Sequence, residues 1–74
     1  MPRLPVMSGA EAVRTFERGG WRFDRQQGSH VILLKPGHIA SLSIPQHREL
    51  APGTLRSLIR AAGLTLEEFV ALSR

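Results

Sequence analysis

The sequence contains no cysteine and no long apolar run. The lack of cysteine excludes disulfide bridges, thiolate metal sites and a thiol nucleophile. The longest apolar run, Val31 to Leu34, is far shorter than the roughly 20 residues that a membrane-spanning helix needs. The opening residues, MPRLPVMSG, also lack the apolar stretch of a signal peptide. We therefore expect a cytoplasmic protein.

The length of 74 residues leaves room for one small domain. A chain of this size buries only about 60% of the surface that its unfolded form exposes, so its stability is modest. Two prolines near the start predict an extended lead-in over residues 1–7. We expect residues 1–74 to form a single domain that includes this lead-in.

Positive charge is in excess. Ten lysines and arginines stand against six acidic residues, for a net charge of +4, and nine of the ten are arginine. The planar guanidinium fork suits phosphate recognition, which makes nucleic acid a reasonable class of partner. The plain alternative is a solvated basic surface, because charge alone says nothing about the fold.

Helix signals frame both ends of the chain. Ser8 and Glu11 are spaced as a capping box, which predicts a first helix with an apolar face made of Ala10, Ala12, Val13 and Phe16. Gly19 and Gly20 end that helix. Pro52 or Thr54 opens a second helix, whose apolar positions are Leu55, Leu58, Ile59 and Ala62 and whose end is Gly63. A second capping box, Thr65 to Glu68, predicts a short third helix.

Between the first two helices the pattern predicts three short strands. The first alternates with Trp21 and Phe23 on one side, and the second is apolar on both faces and therefore central. The predicted strands are Trp21 to Gln26, His30 to Lys35, and Ile39 to Ile44. Turn residues at 27–29 and 36–37 connect them. The prediction is an α+β fold in the order α-β-β-β-α-α, with a three-stranded antiparallel sheet and the helices on one face.

The reactive residues that remain are three histidines among arginines. No glycine-rich loop joins a strand to a helix, and the spacing of His30, His38 and His47 matches no familiar metal site. RNA cleavage needs only a base, an acid and cations, since the ribose 2′-hydroxyl can serve as nucleophile. Histidine can act as base or acid near neutral pH. His30 is either a strand residue bonded to a carbonyl or a reactive imidazole presented at the strand's mouth by Gly28 and Ser29.

Two blocks of sequence resemble the HicA toxins, the small messenger-RNA interferases of HicA–HicB toxin–antitoxin pairs. The first block is Arg25-Gln-Gln-Gly28-Ser29-His30, which is similar to the Gly-Ser-His signature of the family. The second is Ile44-Pro45-Gln46-His47 followed by residues 52–64 and Glu67-Glu68-Phe69. The likeness runs from about Ser8 to Leu72 in matching order and spacing.

The resemblance implies a fold like that of the double-stranded-RNA-binding domain (dsRBD). It also implies that His30 is the catalytic residue of a metal-independent endoribonuclease that cleaves mRNA without a cofactor. The expected protein partner is a HicB-like antitoxin that covers the active site.

Several further residues are candidates for RNA contact. Arg25, Lys35 and Arg48 flank the two histidine regions, and His47 follows a proline that ends a strand. Arg56 and Arg60, four residues apart, extend the positive surface along the second helix. Gly28 and Ser29 would present the imidazole. Each of these residues has a plain structural alternative, which is solvation for the cations and turn formation for Gly28 and Ser29.

Two other functions remain open from the sequence. The same fold and charge suit a module that binds double-stranded RNA without cutting it. A degenerate protein that keeps only the antitoxin-binding surface is the second alternative.

Overall fold

The computed structural model describes residues 2–74 and has the element order α-β-β-β-α-α. The helices are α1 (Gly9–Arg18), α2 (Pro52–Ala61) and α3 (Leu66–Ser73). The strands are β1 (Arg22–Gln27), β2 (His30–Leu34) and β3 (Leu42–Pro45). The predicted α+β, dsRBD-like architecture is confirmed. Met1, the first residue of the predicted lead-in, lies outside the described residues, and residues 2–8 form neither helix nor strand.

The three strands form one antiparallel sheet in the order β1-β2-β3, with β2 in the centre. One face of the sheet packs against the helices. Its core residues there are Val31, Leu33, Leu42 and Ile44, which join one cluster with Phe16, Leu55 and Phe69. Ile32 is also buried, but it lies outside this cluster. Leu33 and Phe16 are both fully buried, so this cluster supplies most of the hydrophobic stabilisation.

Both predicted capping boxes are present. The Ser8 backbone N–H donates to Glu11 Oε1 at 2.8 Å, and the Glu11 N–H donates to Ser8 Oγ at 3.1 Å. Thr65 and Glu68 make the same pair of bonds at the start of α3. The bond from the Ser8 backbone, with a further contribution from the Ser8 side chain, lowers the pKa of Glu11. The equivalent bonds from Thr65 lower the pKa of Glu68.

Helix α1 is rotated relative to the prediction. Its buried residues are Gly9, Ala12, Thr15 and Phe16, whereas Ala10 is exposed and Val13 is only partly buried. The reason lies in the first turn, where the Gly9 N–H donates to the His47 carbonyl at 2.9 Å and holds that side of the helix against the chain after β3. The helix ends as predicted, with Gly20 in the left-handed region at φ +97°.

The prediction for β1 was wrong in its burial. Trp21 is 2% exposed, but it precedes the strand. Its backbone N–H donates to the Phe16 carbonyl at 3.1 Å. Every residue of β1 is exposed, including Phe23 at 57%. As an edge strand, β1 extends beyond the helices, so its inward positions are not covered.

The start of β3 was also predicted incorrectly. The strand begins at Leu42 rather than Ile39, and Ile39 and Ala40 are exposed. Strand β2 ends at Leu34, and its pairing with β3 begins at Leu33 and Leu42, so Ile39 has no strand residue opposite it. The Pro36–Gly37 turn thus belongs to a longer connection.

Of the two predicted starts of α2, Pro52 is correct and Thr54 is not. Pro52 is the first helical residue, and the N-cap is Ala51, whose side chain makes no capping bond. Thr54 already lies inside the helix. Within residues 2–74, no helix is both long and apolar enough to cross a bilayer.

Candidate functional site

The β1–β2 connection is a two-residue turn that places His30 at the mouth of the central strand. Gly28 has φ +57° and no atom within 4 Å of the position where a Cβ would lie. Glycine is therefore required by backbone conformation rather than by lack of space, as the first position of a type II′ hairpin turn demands. His30 follows Ser29 directly, pairs with Gln27, and its side chain is exposed. This exposure argues against the alternative of a partly buried imidazole bonded to a carbonyl.

His30 points to the face of the sheet that the helices do not cover. Successive strand residues alternate between faces, and Val31 and Leu33 face the core. Directly paired residues share a face, which extends this assignment to the neighbouring strands. We call this surface the open face; its residues are Arg22, Arg25, Gln27, His30, Ile32, Leu34, Ser43 and Pro45.

A β-bulge turns Arg25 toward the same face. Phe23 pairs with Leu33 and Arg25 pairs with Ile32, so β1 has one more residue than β2 between these pairs. Simple alternation would have placed Arg25 on the same side as Phe23, facing away from His30. The inserted residue shifts the alternation by one position, which is the usual effect of a bulge on the aim of a side chain.

Arg25 and His30 are therefore diagonal neighbours on the open face. Arg25 lies opposite Ile32, two positions along β2 from His30, a relation that separates Cβ atoms by about 7–8 Å. The Arg25 guanidinium forms an ion pair with Asp24, and about half of its side-chain surface remains exposed. Both side chains are thus exposed on the same face of the sheet.

The segment after β3 approaches the same end of the sheet. His30 pairs with Pro45, and the Gln46 N–H donates to the Ser29 carbonyl at 2.6 Å. His47 and Arg48 follow immediately and are exposed. A Cβ on Gly9 would lie 2.1 Å from the Pro45 carbonyl oxygen, so this close approach of α1 requires glycine. The structure thus gathers Gly28, Ser29, His47 and Arg48 around the His30 end of the sheet.

The other predicted cations lie elsewhere. Lys35 follows the opposite end of β2, about 16 Å from His30 along the strand, and its side chain runs against Gly20. Arg56 and Arg60 are exposed on α2, in the helical layer on the far side of the sheet. They line a shallow pocket with Leu4, Leu64 and Leu66.

Sequence reasoning missed two residues of the open face. Gln27 is the direct cross-strand neighbour of His30, and a two-residue turn at Gly28 and Ser29 was enough to predict that pairing. Arg22 lies opposite Leu34 and adds a second arginine to the open face. Nothing in the sequence marked Arg22, because its face depends on the pairing register.

The remaining histidine, His38, packs beside the core. Its ring centroid lies 5.0 Å from that of Trp21 with an edge-to-face angle of 60°. Trp21 is itself part of the hydrophobic core. Among residues 2–74, no group of three or more histidine or acidic side chains is arranged to hold a metal ion.

A comparison of the sequence with models of protein families identifies its family. Residues 9–64 match the model of a family described as "HicA toxin of bacterial toxin-antitoxin". This chain belongs to the HicA toxin family. The match covers more than half of the chain and runs from the first residue of α1, through the sheet, to the end of α2, so it contains the whole His30 region. No curated protein matches the chain.

Membership of the HicA family makes this chain the toxin component of a toxin–antitoxin system, and such a toxin has an antitoxin as its general partner. The resemblance to the HicA toxins is thereby confirmed over residues 9–64, which contain Gly28-Ser29-His30 and the second block as far as Leu64; Glu67-Glu68-Phe69 lies beyond the match.

Proposed function

We propose that this HicA-family toxin is a metal-independent endoribonuclease that cleaves mRNA, with His30 as its catalytic residue. The observation that carries the proposal is the diagonal pair on the open face. The exposed imidazole of His30 and the exposed guanidinium of Arg25 belong to diagonal neighbours, a relation that typically separates two residues by about 7–8 Å, on the face that the helices do not cover.

The chemistry uses the nucleophile that RNA provides. As general base, the His30 imidazole takes the proton from a ribose 2′-hydroxyl, and the 2′-oxygen attacks the adjacent phosphorus. The phosphorus–O5′ bond breaks, and the departing 5′-oxygen gains a proton from a general acid or from water. The products are a 2′,3′-cyclic phosphate and a 5′-hydroxyl. If His30 instead serves as general acid, it protonates the 5′-oxygen in the same reaction.

Arg25 supports the reaction electrostatically in this proposal. Negative charge accumulates on the phosphoryl oxygens as the 2′-oxygen attacks, and a nearby guanidinium stabilises it. The ion pair with Asp24 restricts where the Arg25 side chain can lie. His47 and Arg48 are proposed to contact the RNA at the same end of the sheet, and Gly28 and Ser29 to present the imidazole.

Lys35, Arg56 and Arg60 are proposed as more distant phosphate contacts. Their positions require an RNA that extends beyond the His30 region, because Lys35 lies at the opposite end of β2 and the two arginines lie on α2. The proposed partner is a HicB-like antitoxin that covers the open face, and the proposed compartment is the cytoplasm.

The test is cleavage of RNA by purified, antitoxin-free protein in the presence of EDTA. We expect the wild type to cleave and His30→Ala to lose at least about 100-fold in rate, the scale of general acid–base catalysis. Ile39→Ala removes a fully exposed side chain from the β2–β3 connection and should still cleave, provided that its thermal melt shows a folded protein.

Four outcomes would count against the proposal. Loss of cleavage in EDTA would contradict the metal-free mechanism, and equal cleavage by His30→Ala would remove the role of the imidazole. RNA binding without any cleavage would favour the double-stranded-RNA-binding alternative. Binding of an antitoxin without RNA binding and without RNA cleavage would favour the alternative of a degenerate interaction protein.

A further inference from the structure

A second concave surface lies at the end of the sheet remote from His30. Phe23, Leu34 and Pro36 form its apolar part, and Arg22, Lys35 and His38 surround them. Asp24 also lines it. We call this surface the Phe23 pocket. Phe23 and Pro36 lie outside the open face that carries the proposed cleavage site, whereas Arg22 and Leu34 stand at the far end of that face. Phe23 and Leu34 are 57% and 43% exposed.

The exposure of Phe23 follows from its strand. Phe23 pairs with Leu33, whose side chain is in the core, so the ring lies on the helix side of the sheet. The helices do not extend beneath β1, however, and the aromatic surface stays open to solvent. Aromatic rings exposed in this way on a basic surface are the platforms on which unpaired nucleobases stack.

The charges at the pocket are suited to a polyanion. Arg22 and Lys35 are the arginine and the lysine that line the pocket. The aliphatic part of the Lys35 side chain passes Gly20, and its Cε lies 3.3 Å from the position that a Gly20 Cβ would occupy. Asp24 is the one acidic residue that lines the pocket, and its carboxylate is paired with Arg25. The pocket therefore presents positive charge next to an aromatic ring. A partner protein surface of ordinary apolar character would gain little from two cations at this position.

We propose that the Phe23 pocket is a subsite for single-stranded RNA, in which an unpaired base stacks on Phe23 while neighbouring phosphates contact Lys35 and Arg22. This inference rests on the proposed function in that RNA is the substrate. The pocket is offset from His30 by three residues of β2, about 10 Å along the strand, and by one strand spacing of about 5 Å. A strand of RNA would pass over the β1 edge to reach it, so the bound base lies outside the cleaved step.

The test measures binding separately from cleavage. A fluorescent octanucleotide with 2′-O-methyl riboses cannot be cut by attack of its own 2′-oxygen, and its anisotropy reports affinity. We expect Phe23→Ala to weaken binding about tenfold, the effect of losing one base–aromatic stack. Phe23→Leu, which keeps apolar volume without a ring, should weaken binding to a similar extent, whereas Phe23→Trp should retain it.

Two controls localise the effect. Val6→Ala removes another exposed apolar side chain, from the segment before α1, and should leave binding unchanged. Arg14→Ala removes a cation from α1 that does not line the pocket, and it should also leave binding nearly unchanged. Wild-type affinity in Phe23→Ala would overturn the inference, and so would wild-type affinity in Phe23→Leu, because either result removes the role of the ring.

Trp21 offers an independent readout. It is the sole tryptophan of the chain, and it packs against His38, which lines the pocket. Addition of the octanucleotide should change Trp21 emission in the wild type but not in Phe23→Ala. If Phe23→Ala binds RNA normally but fails to pair with a co-expressed antitoxin, the pocket is a protein-docking surface and the inference is wrong.

Failure of the inference and failure of the proposed function have different signatures. A wild type that binds the octanucleotide through Phe23 but cuts no RNA would leave the subsite standing and end the nuclease proposal. If the wild type cuts RNA, His30→Ala loses cleavage and Phe23→Ala keeps its affinity, the nuclease proposal stands and the Phe23 subsite is ruled out.

Discussion

The two faces of β2 carry similar side chains into different surroundings. Leu33 points to the helices and is fully buried, whereas Leu34, the next residue, points to the open face and is 43% exposed. His30 shares the face of Leu34. One face holds the fold together, while the other carries the exposed side chains of His30 and Leu34 at the two ends of the same strand, with the buried Ile32 between them. A site built in this way combines fixed geometry with access.

The largest expected effect comes from the covered face. Leu33→Ala should lower the free energy of unfolding by about 2–5 kcal/mol, because it removes a fully buried side chain and leaves a cavity. For a domain of this size that is a large share of the total stability. Leu34→Ala makes the same chemical change one residue later and should cost less than about 1 kcal/mol. Urea unfolding followed by circular dichroism compares the two, and equal losses would contradict the assignment of the faces.

The turn that presents His30 should be the next most sensitive element. Gly28→Ala forces a side chain into a left-handed backbone conformation and should destabilise by about 1–2 kcal/mol. Space is not the cause, since no atom lies within 4 Å of a Cβ there. Gly28→Asn should lose about as much as Gly28→Ala, because asparagine tolerates the αL region and not the mirror-β region that the first position of a type II′ turn occupies. Wild-type thermal stability in Gly28→Ala would contradict the positive φ at this turn.

A third prediction compares arginines on the two sides of the sheet. Arg25→Ala should lower the rate of RNA cleavage at least about tenfold, because it removes the cation diagonal to His30. Arg56→Ala removes the same charge from the helical layer and should lower the rate less than about threefold. Rates measured at one fixed salt concentration make the comparison. A larger effect at Arg56 would place the RNA on the helical side.

The smallest effect concerns pH and lies in the helical layer. Capping bonds lower the pKa of Glu11 and Glu68, so their contribution to stability is present at neutral pH and is lost as the pH falls through the lowered pKa. Glu11→Gln and Glu68→Gln together should make the thermal midpoint less sensitive to acid between pH 6 and pH 3. A double variant with the same acid sensitivity as the wild type would contradict this assignment.

Local signals in the sequence were sufficient for most of the fold. Capping boxes at Ser8 and Thr65 and helix-ending glycines at 20 and 63 depend on neighbouring residues alone, and each is present in the structure. The Gly28-Ser29 turn and the apolar strand after it are equally local. These features predicted the element order and placed His30 at the start of β2.

The remaining features depend on contacts between distant segments. The bulge before Arg25 has no mark in the sequence, because it is defined by which β2 residue lies opposite. Phe23 alternates with Trp21 as a half-buried strand would, but its exposure depends on β1 being the edge of the sheet. Ile39 has the expected period for β3, yet β2 ends before it can be paired. The diagonal position of Arg25 relative to His30 could not be predicted from the sequence for the same reason.

The most direct test measures unfolding and cleavage on one preparation of His30→Ala beside the wild type. The account predicts that the free energy of unfolding changes by less than about 0.5 kcal/mol, as for other exposed positions, while RNA cleavage in EDTA falls at least about 100-fold. A stable variant that cleaves RNA as fast as the wild type would contradict the central claim that the open face of the sheet is the reactive surface.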